Sequence, residues 1–226
     1  MFKDLRLVWD LPVRVFHWLL VLSIIGSYTT AKLGTDWLPW HMRLGKFMIG
    51  MLIFRLIWGL VGPRHARFAN FIRGPGAMLK YLKGGITSVG HNPLGAGMVV
   101  LMLLLLVLQV STGLFSTDDI AYTGPYFPSV SHDWAEKLTA IHHKNFNIIL
   151  AAIALHLCAI LYYTFVKKEP LVPAMVHGRK PADAVPLHEA IAGSQLWRAL
   201  IVIAIACGCV YWLLHAAPPP PESLDY

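Results

Sequence analysis

His142 and His156 lie fourteen residues apart in one apolar run of this 226-residue chain. Fourteen helical steps of about 100° and 1.5 Å return a side chain to within about 40° of its starting direction, after a rise of roughly 21 Å. Two imidazoles on one face at opposite depths of a hydrocarbon layer are placed to ligate two metal-centred groups stacked across it. His17 and His41 also lie on or at the start of apolar runs, where an unpaired polar group is expensive. Iron would satisfy all four.

The elements that position these histidines are membrane spans. The chain is 56% hydrophobic and only 14% charged, and the apolar residues fall in long runs. Leu94–Phe115 is an uncharged run of 22 residues and Ala199–Ala217 is another of 19, each long enough to cross about 30 Å of hydrocarbon. With three runs that carry polar interruptions, the spans are predicted at about 15–31, 40–62, 94–115, 141–166 and 197–215. Backbone groups in lipid must be satisfied internally, and runs without two-residue alternation favour helices over a barrel. The expected fold is an all-α integral membrane helical bundle. Residues 1–181 would form a four-helix dihaem core, and residues 182–226 a linker, a fifth transmembrane helix and a Pro-rich periplasmic tail. The charged residues before the first run resemble the start of a signal peptide, but no small-residue cleavage site follows, and the first span reads as a retained anchor.

Orientation follows from the basic residues. With the N-terminus inside, thirteen Lys and Arg fall on the cytoplasmic side, among them Lys3, Arg64, Arg67, Lys80 and Arg198. Five fall outside: Lys32, Arg43, Lys46, Lys137 and Lys144. The N-terminus is therefore expected in the cytoplasm and, after five crossings of the inner membrane, the tail Pro218–Tyr226 in the periplasm. The net charge of +7 is explained by charges that flank spans, and the absence of a single basic patch excludes nucleic acid as a partner. Cys158, Cys207 and Cys209 lie within spans and read as packing residues. There is no C-x-x-C-H, so any haem is held noncovalently, as b-type haem with histidine ligands.

Depth sorts the four histidines into pairs. The first helix runs outward and meets His17 early; the second runs inward and meets His41 at its outer end. The fourth runs inward with His142 outside and His156 deeper. His17 with His156 would hold a cytoplasmic-side haem iron, and His41 with His142 a periplasmic-side one. His143 lies thirteen residues before His156, about 140° off that face, so His142 is the expected ligand. His65, His91, His132, His177, His188 and His215 read as loop or interfacial side chains. Arg55 follows His41 by fourteen residues on the same face, and an arginine there needs an anion such as a haem propionate. Arg14, one turn before His17, and Arg43 and Lys46, near His41, are further propionate candidates. Gly45, Gly50 and Gly113 would let a macrocycle or a neighbouring helix approach closely.

The segments RVFHW, HMRLG followed by Arg55, GHNPLGA, IHHKN followed by His156, and EPLVPAMVHGRK resemble the bacterial cytochrome b561 and nickel-iron hydrogenase cytochrome b superfamily over about residues 5–181. That resemblance implies two b haems on the ligands already derived, and electron exchange with a membrane quinone and a redox partner. The chain departs from the family pattern in its fifth helix and tail, and in carrying His143 where the family has an acidic residue. The leading expectation is a dihaem b-type cytochrome that moves electrons between the quinone pool and a periplasmic c-type cytochrome or oxidoreductase subunit. Two alternatives stand beside it. One is a superoxide:quinone oxidoreductase with Arg43, Lys46, Lys137 and Lys144 attracting the anion. The other is a membrane anchor subunit of a hydrogenase-like or molybdenum dehydrogenase. The outer segment 116–140 carries Asp118, Asp119, Asp133 and Glu136 among aromatics, and either steers a basic partner or is a solvated linker.

Overall fold

Side-chain capping and proline placement start the main helices. The computed structural model describes residues 4–84 and 88–219. Lys3 and the tail from residue 220, both used in the orientation argument, lie outside the described residues. Asp10 precedes helix α1 (Leu11–Lys32) and accepts from the Val13 amide at 3.0 Å, with Pro12 in the first turn. Asn92 does the same for α5 (Pro93–Gly113), accepting from the Gly95 amide at 2.7 Å. Helix α2 (Leu38–Val61) follows α1 after one turn of 3₁₀ helix at Thr35–Trp37. Two short helices, α3 (Phe68–Phe71) and α4 (Pro75–Leu82), lead towards α5.

Helix α6 runs over His132–Phe165, nine residues longer at its start than the span expected at 141. Its 34 residues reach about 51 Å at 1.5 Å each, so one end rises well clear of a hydrocarbon layer about 30 Å thick. A short helix α7 (Leu171–His177) and the last long helix, α8 (Leu196–His215), complete the order. Among the described residues, five helices are long and apolar enough to cross a membrane: α1, α2 with its 3₁₀ lead-in, α5, α6 and α8. Consecutive crossings reverse direction, so the start of α1 and the end of α6 share the near face, and the ends of α1 and α5 share the far face.

The bundle is two helix pairs, α1 on α2 and α5 on α6, joined where α2 meets α5. Helix α6 makes no comparable packing with α1 or α2 among the described residues, which leaves room between the pairs. The fifth helix packs along α2, where Gly50 faces Val210. The central core gathers Phe16, Leu52, Trp58, Leu106, Ile149 and Val202 from all five long helices. Long apolar side chains elsewhere on these helices are exposed, as lipid-facing surface requires.

A feature that hydropathy does not announce closes the near face. Strand β1 (Leu5–Leu7) pairs antiparallel with β2 (Arg179–Pro181), in register Arg6 with Lys180. Gly178, at φ +81 after α7, accepts from the amides of Val8 and Trp9 at 2.9 and 3.0 Å. A β-carbon there would meet the Trp9 carbonyl at 2.5 Å, so glycine is required by both conformation and space. Val8, Trp9, Ala174 and Val185 form a small second core under this ribbon. The N-terminal segment is thereby tied to the chain that follows α6.

Candidate haem sites

The structure places the two far-face histidines side by side. His41 in the first turn of α2 and His142 on α6 have ring centroids 6.2 Å apart, with planes at 77°. His41 donates from Nδ1 to the Ser27 carbonyl of α1 at 2.9 Å. His142 donates from Nδ1 to the Gln109 carbonyl of α5, also at 2.9 Å. A carbonyl oxygen only accepts, so each Nδ1 carries a proton, and in the neutral form of either ring the Nε2 lone pair is free. That is the tautomer a metal-ligating imidazole needs, with its second-shell acceptor already in place.

The separation is compatible with one metal ion between the two rings. Two metal–nitrogen bonds of about 2 Å, with each nitrogen about 1.1 Å from its ring centre, put the centroids roughly 6.2 Å apart. Beside the pair is a cavity of about 570 Å³ lined by both histidines, within the range of ligand pockets, about 300–1,000 Å³. Gly45 lines it, and among the described residues a β-carbon on Gly45 would meet nothing within 4 Å beyond its own stretch of helix. Gly113 has a different role: a β-carbon there would lie 3.0 Å from His142 Cε1, so the missing side chain lets the ligand ring lie against α5. Tyr28 and Phe146 stack at 5.4 Å between α1 and α6 and both line the cavity.

The far-face loop is held by its own hydrogen bonds and lines one side of this cavity. Asp118 accepts from the amides of Ile120, Ala121 and Tyr122 at 2.8–3.1 Å, and Thr117 is bridged to Thr123. Thr117, Asp118, Tyr122 and Gly124 line the cavity. The Tyr126 hydroxyl donates to the Leu213 carbonyl at 2.6 Å, fastening the loop to the end of α8. Part of the acidic charge is engaged locally: His132 lies 3.2 Å from Asp119 and 3.8 Å from Glu136.

At the near-face end, His17 and His156 are both half-buried and within electrostatic range of one another. Among the described residues, His17 Nδ1 is buried without a hydrogen-bond partner. The four candidate cations take different positions. Lys46 lines the far-face cavity, while the exposed Arg43 lies with its guanidinium 4.6 Å from the centre of the Trp40 ring. Arg14 donates to the Val176 carbonyl at 2.5 Å, and its Nε is buried without a partner among the described residues. Arg55 is 3% exposed, donates to the Ala66 carbonyl at 3.3 Å and sits over the Phe68 ring at 4.6 Å, in the field of Asp10. His143, set aside as a ligand on helical phase, is exposed but also lines the far-face cavity beside His142.

Polar groups that the sequence reading did not single out surround both ends. Asn145, Gln109 and Thr112 are buried between α5 and α6 beside His142. On the near face, Asp10 is fully buried and accepts from Trp58 Nε1 at 3.0 Å; burial raises its carboxyl above the usual range, against the lowering pull of its hydrogen bonds and Arg55. His91, expected as a loop or interfacial side chain, is instead packed between the rings of Trp9 and Phe71, at 4.6 and 4.5 Å. Its burial, with the positive field of Arg55 secondary, pushes its imidazole down to about 3. The one available signal for Gln109 and Asn145 was their amide chemistry inside apolar runs.

Five membrane-length helices with two imidazoles side by side at a cavity are the features of an integral membrane protein able to hold a metal-centred cofactor. A family model described as prokaryotic cytochrome b561 matches residues 8–178, and the chain belongs to that family. It is therefore a membrane b-type cytochrome, with haem b as its cofactor and electron transfer as its activity. Two curated relatives are each named "Probable Ni/Fe-hydrogenase B-type cytochrome subunit". The one from Rhizobium leguminosarum bv. viciae is 23% identical over 209 residues, covering 76% of this chain and 87% of the relative. The one from Rhodobacter capsulatus is 24% identical over 214 residues, covering 76% and 80%. No solved structure matches the chain significantly.

Proposed function

We propose that the protein is a dihaem b-type cytochrome of the bacterial inner membrane that passes electrons between the quinone pool and a periplasmic redox partner. Its N-terminus is cytoplasmic and its C-terminus periplasmic. His41 and His142 hold the periplasmic-side haem through Nε2; His17 and His156 hold the cytoplasmic-side haem. The observation that carries this reading is the outer imidazole pair, with centroids 6.2 Å apart and both Nδ1 atoms on backbone carbonyls. When bound, haem supplies one-electron chemistry at a potential set by its axial ligands and surroundings.

The remaining roles belong to the chain. Ser27 and Gln109 orient the outer ligands, Gly45 and Gly113 leave space for the macrocycle and the ligand ring, and the loop around Asp118 limits water access. Lys46 and Arg43 supply positive charge for propionates on the outer side, and Arg14 does so on the inner side. Arg55, which already has the Ala66 carbonyl and Phe68 as partners, acts there chiefly through its field.

Mixing the purified holoprotein with a quinol analogue and following haem absorbance tests the quinone half of this reading. Haem reduction by quinol, reversed by quinone, is expected; no exchange in either direction would overturn it. The names of the two relatives favour a second reading of the partner, a hydrogenase-like oxidoreductase for which this chain is the membrane anchor. Co-purification in mild detergent of a stable oxidoreductase subunit supports that reading over a diffusing c-type cytochrome. In the same mixing experiment, rapid haem reduction by superoxide would support the superoxide:quinone alternative, in which Lys46 at the cavity attracts the anion.

A further inference from the structure

Three buried polar side chains cross the interface between α5 and α6 beside the outer ligand. Asn145, three residues after His142 and 3% exposed, donates from Nδ2 to Gln109 Oε1 at 2.8 Å and to the Leu105 carbonyl at 2.9 Å. Gln109, 7% exposed, supplies from its main chain the carbonyl that accepts His142 Nδ1–H at 2.9 Å. Thr112 donates its hydroxyl to the same turn, to the Leu108 and Gln109 carbonyls at 2.8 and 3.0 Å, and its oxygen lies 3.3 Å from His142 Nδ1. One residue of α5 therefore gives the ligand its acceptor and gives α6 its tether.

The tether acts on the variables that set the ligand bond. Leu105 and Gln109 are one turn apart on α5, so Asn145 grips both ends of that turn and fixes how far α5 lies from α6 and how it is rotated. In hydrocarbon, the amides have few alternative partners, which keeps the tether closed. Donation from Nδ1–H makes an imidazole more electron-rich, and an electron-rich ligand favours ferric over ferrous iron. The acceptor for His41 is Ser27 on α1, outside this tether.

We propose that Asn145 and Gln109 are positioning residues for His142, and that through it they hold down the reduction potential of the outer haem. This rests on the assignment of His41 and His142 to one haem. Loosening the tether lengthens the Nδ1–H···O contact and raises that haem's potential while leaving the inner haem alone.

The test is a spectroelectrochemical titration, with electron paramagnetic resonance of the ferric haems, on purified holoprotein. His41→Ala first identifies the outer haem as the signal it abolishes. If His41→Ala keeps both signals, the ligand assignment is overturned, and this inference falls with it for that separate reason. With the outer signal identified, Asn145→Leu removes both donors at similar size, and Gln109→Met keeps the side-chain length while replacing the amide acceptor by a weak one. The expected result is a tenfold shift of the outer haem's redox equilibrium towards the ferrous form, about 59 mV for one electron, with altered outer g-values and an unmoved inner haem. An unchanged outer potential in both variants would overturn the proposal. So would equal shifts at both haems, which would report general loosening. If Asn145→Leu does not assemble, Gln109→Met carries the same two outcomes.

Discussion

Gly45→Ala separates the cavity as a haem site from the cavity as a packing gap. Among the described residues, nothing beyond its own stretch of helix lies within 4 Å of the added β-carbon, so the haem-free chain tolerates it. It should even gain up to about 1 kcal/mol, because alanine is the better helix former. Gly45 lines the 570 Å³ cavity beside His41 and His142, so a macrocycle bound there meets the new methyl group. Overpacking of a fitted site costs about 1–3 kcal/mol, equivalent to roughly a 5- to 140-fold loss of haem affinity at the outer site. The assay is haem titration of the apoprotein by absorbance, beside thermal unfolding of the same apoprotein. Gly50→Ala is the control, because its β-carbon would make an ordinary 3.4 Å contact with Val210 of α8. Wild-type haem affinity in Gly45→Ala, with Gly50→Ala equally silent, would refute the placement of the macrocycle against this face of α2.

Other consequences concern the near face. Asp10→Ala removes the α1 cap and strands the buried Trp58 indole N–H, and should destabilise by about 2–4 kcal/mol. Thermal unfolding in detergent checks this, and an unchanged midpoint would contradict it; Asp10→Asn, which keeps an acceptor, should be milder. His91 has a folded-state pKa of about 3, below its ordinary value of about 6.5, so it stays neutral in the fold while the unfolded chain takes up a proton. Its stability contribution is therefore complete above about pH 6.5 and falls by up to about 1.4 kcal/mol per unit as pH drops towards 3. Unfolding midpoints between pH 7.5 and 5 should show this slope in the wild type and a shallower one in His91→Phe; equal slopes would refute it.

The spans and the outer histidine pair were legible because each rests on a periodicity. An apolar run of 22 residues reports hydrocarbon thickness, and helical phase with depth brought His41 to His142 across two helices. The start of α6 at His132 was not legible from hydropathy, which locates lipid and not the end of a helix. The HDWAEKL segment is polar, yet most of its residues are good helix formers. The β1–β2 ribbon joins residues more than 170 positions apart and has three residues per strand, too few for a pattern. Arg55 illustrates the same limit. Its burial and need for an anion were readable, but the Asp10 whose field it feels comes from another helix's cap. Gln109 and Asn145 were visible only as amides in apolar runs, and their role needed the helix pairing.

The central claim is that two histidine pairs hold two haems at two depths. The direct measurement is haem content and the reduced absorption spectrum of the purified wild type and of His17→Ala, His41→Ala, His142→Ala and His156→Ala. The account predicts two haems in the wild type. It predicts loss of the same outer haem from the His41 and His142 variants, and loss of the other haem from the His17 and His156 variants. Two haems retained in all four variants would contradict it.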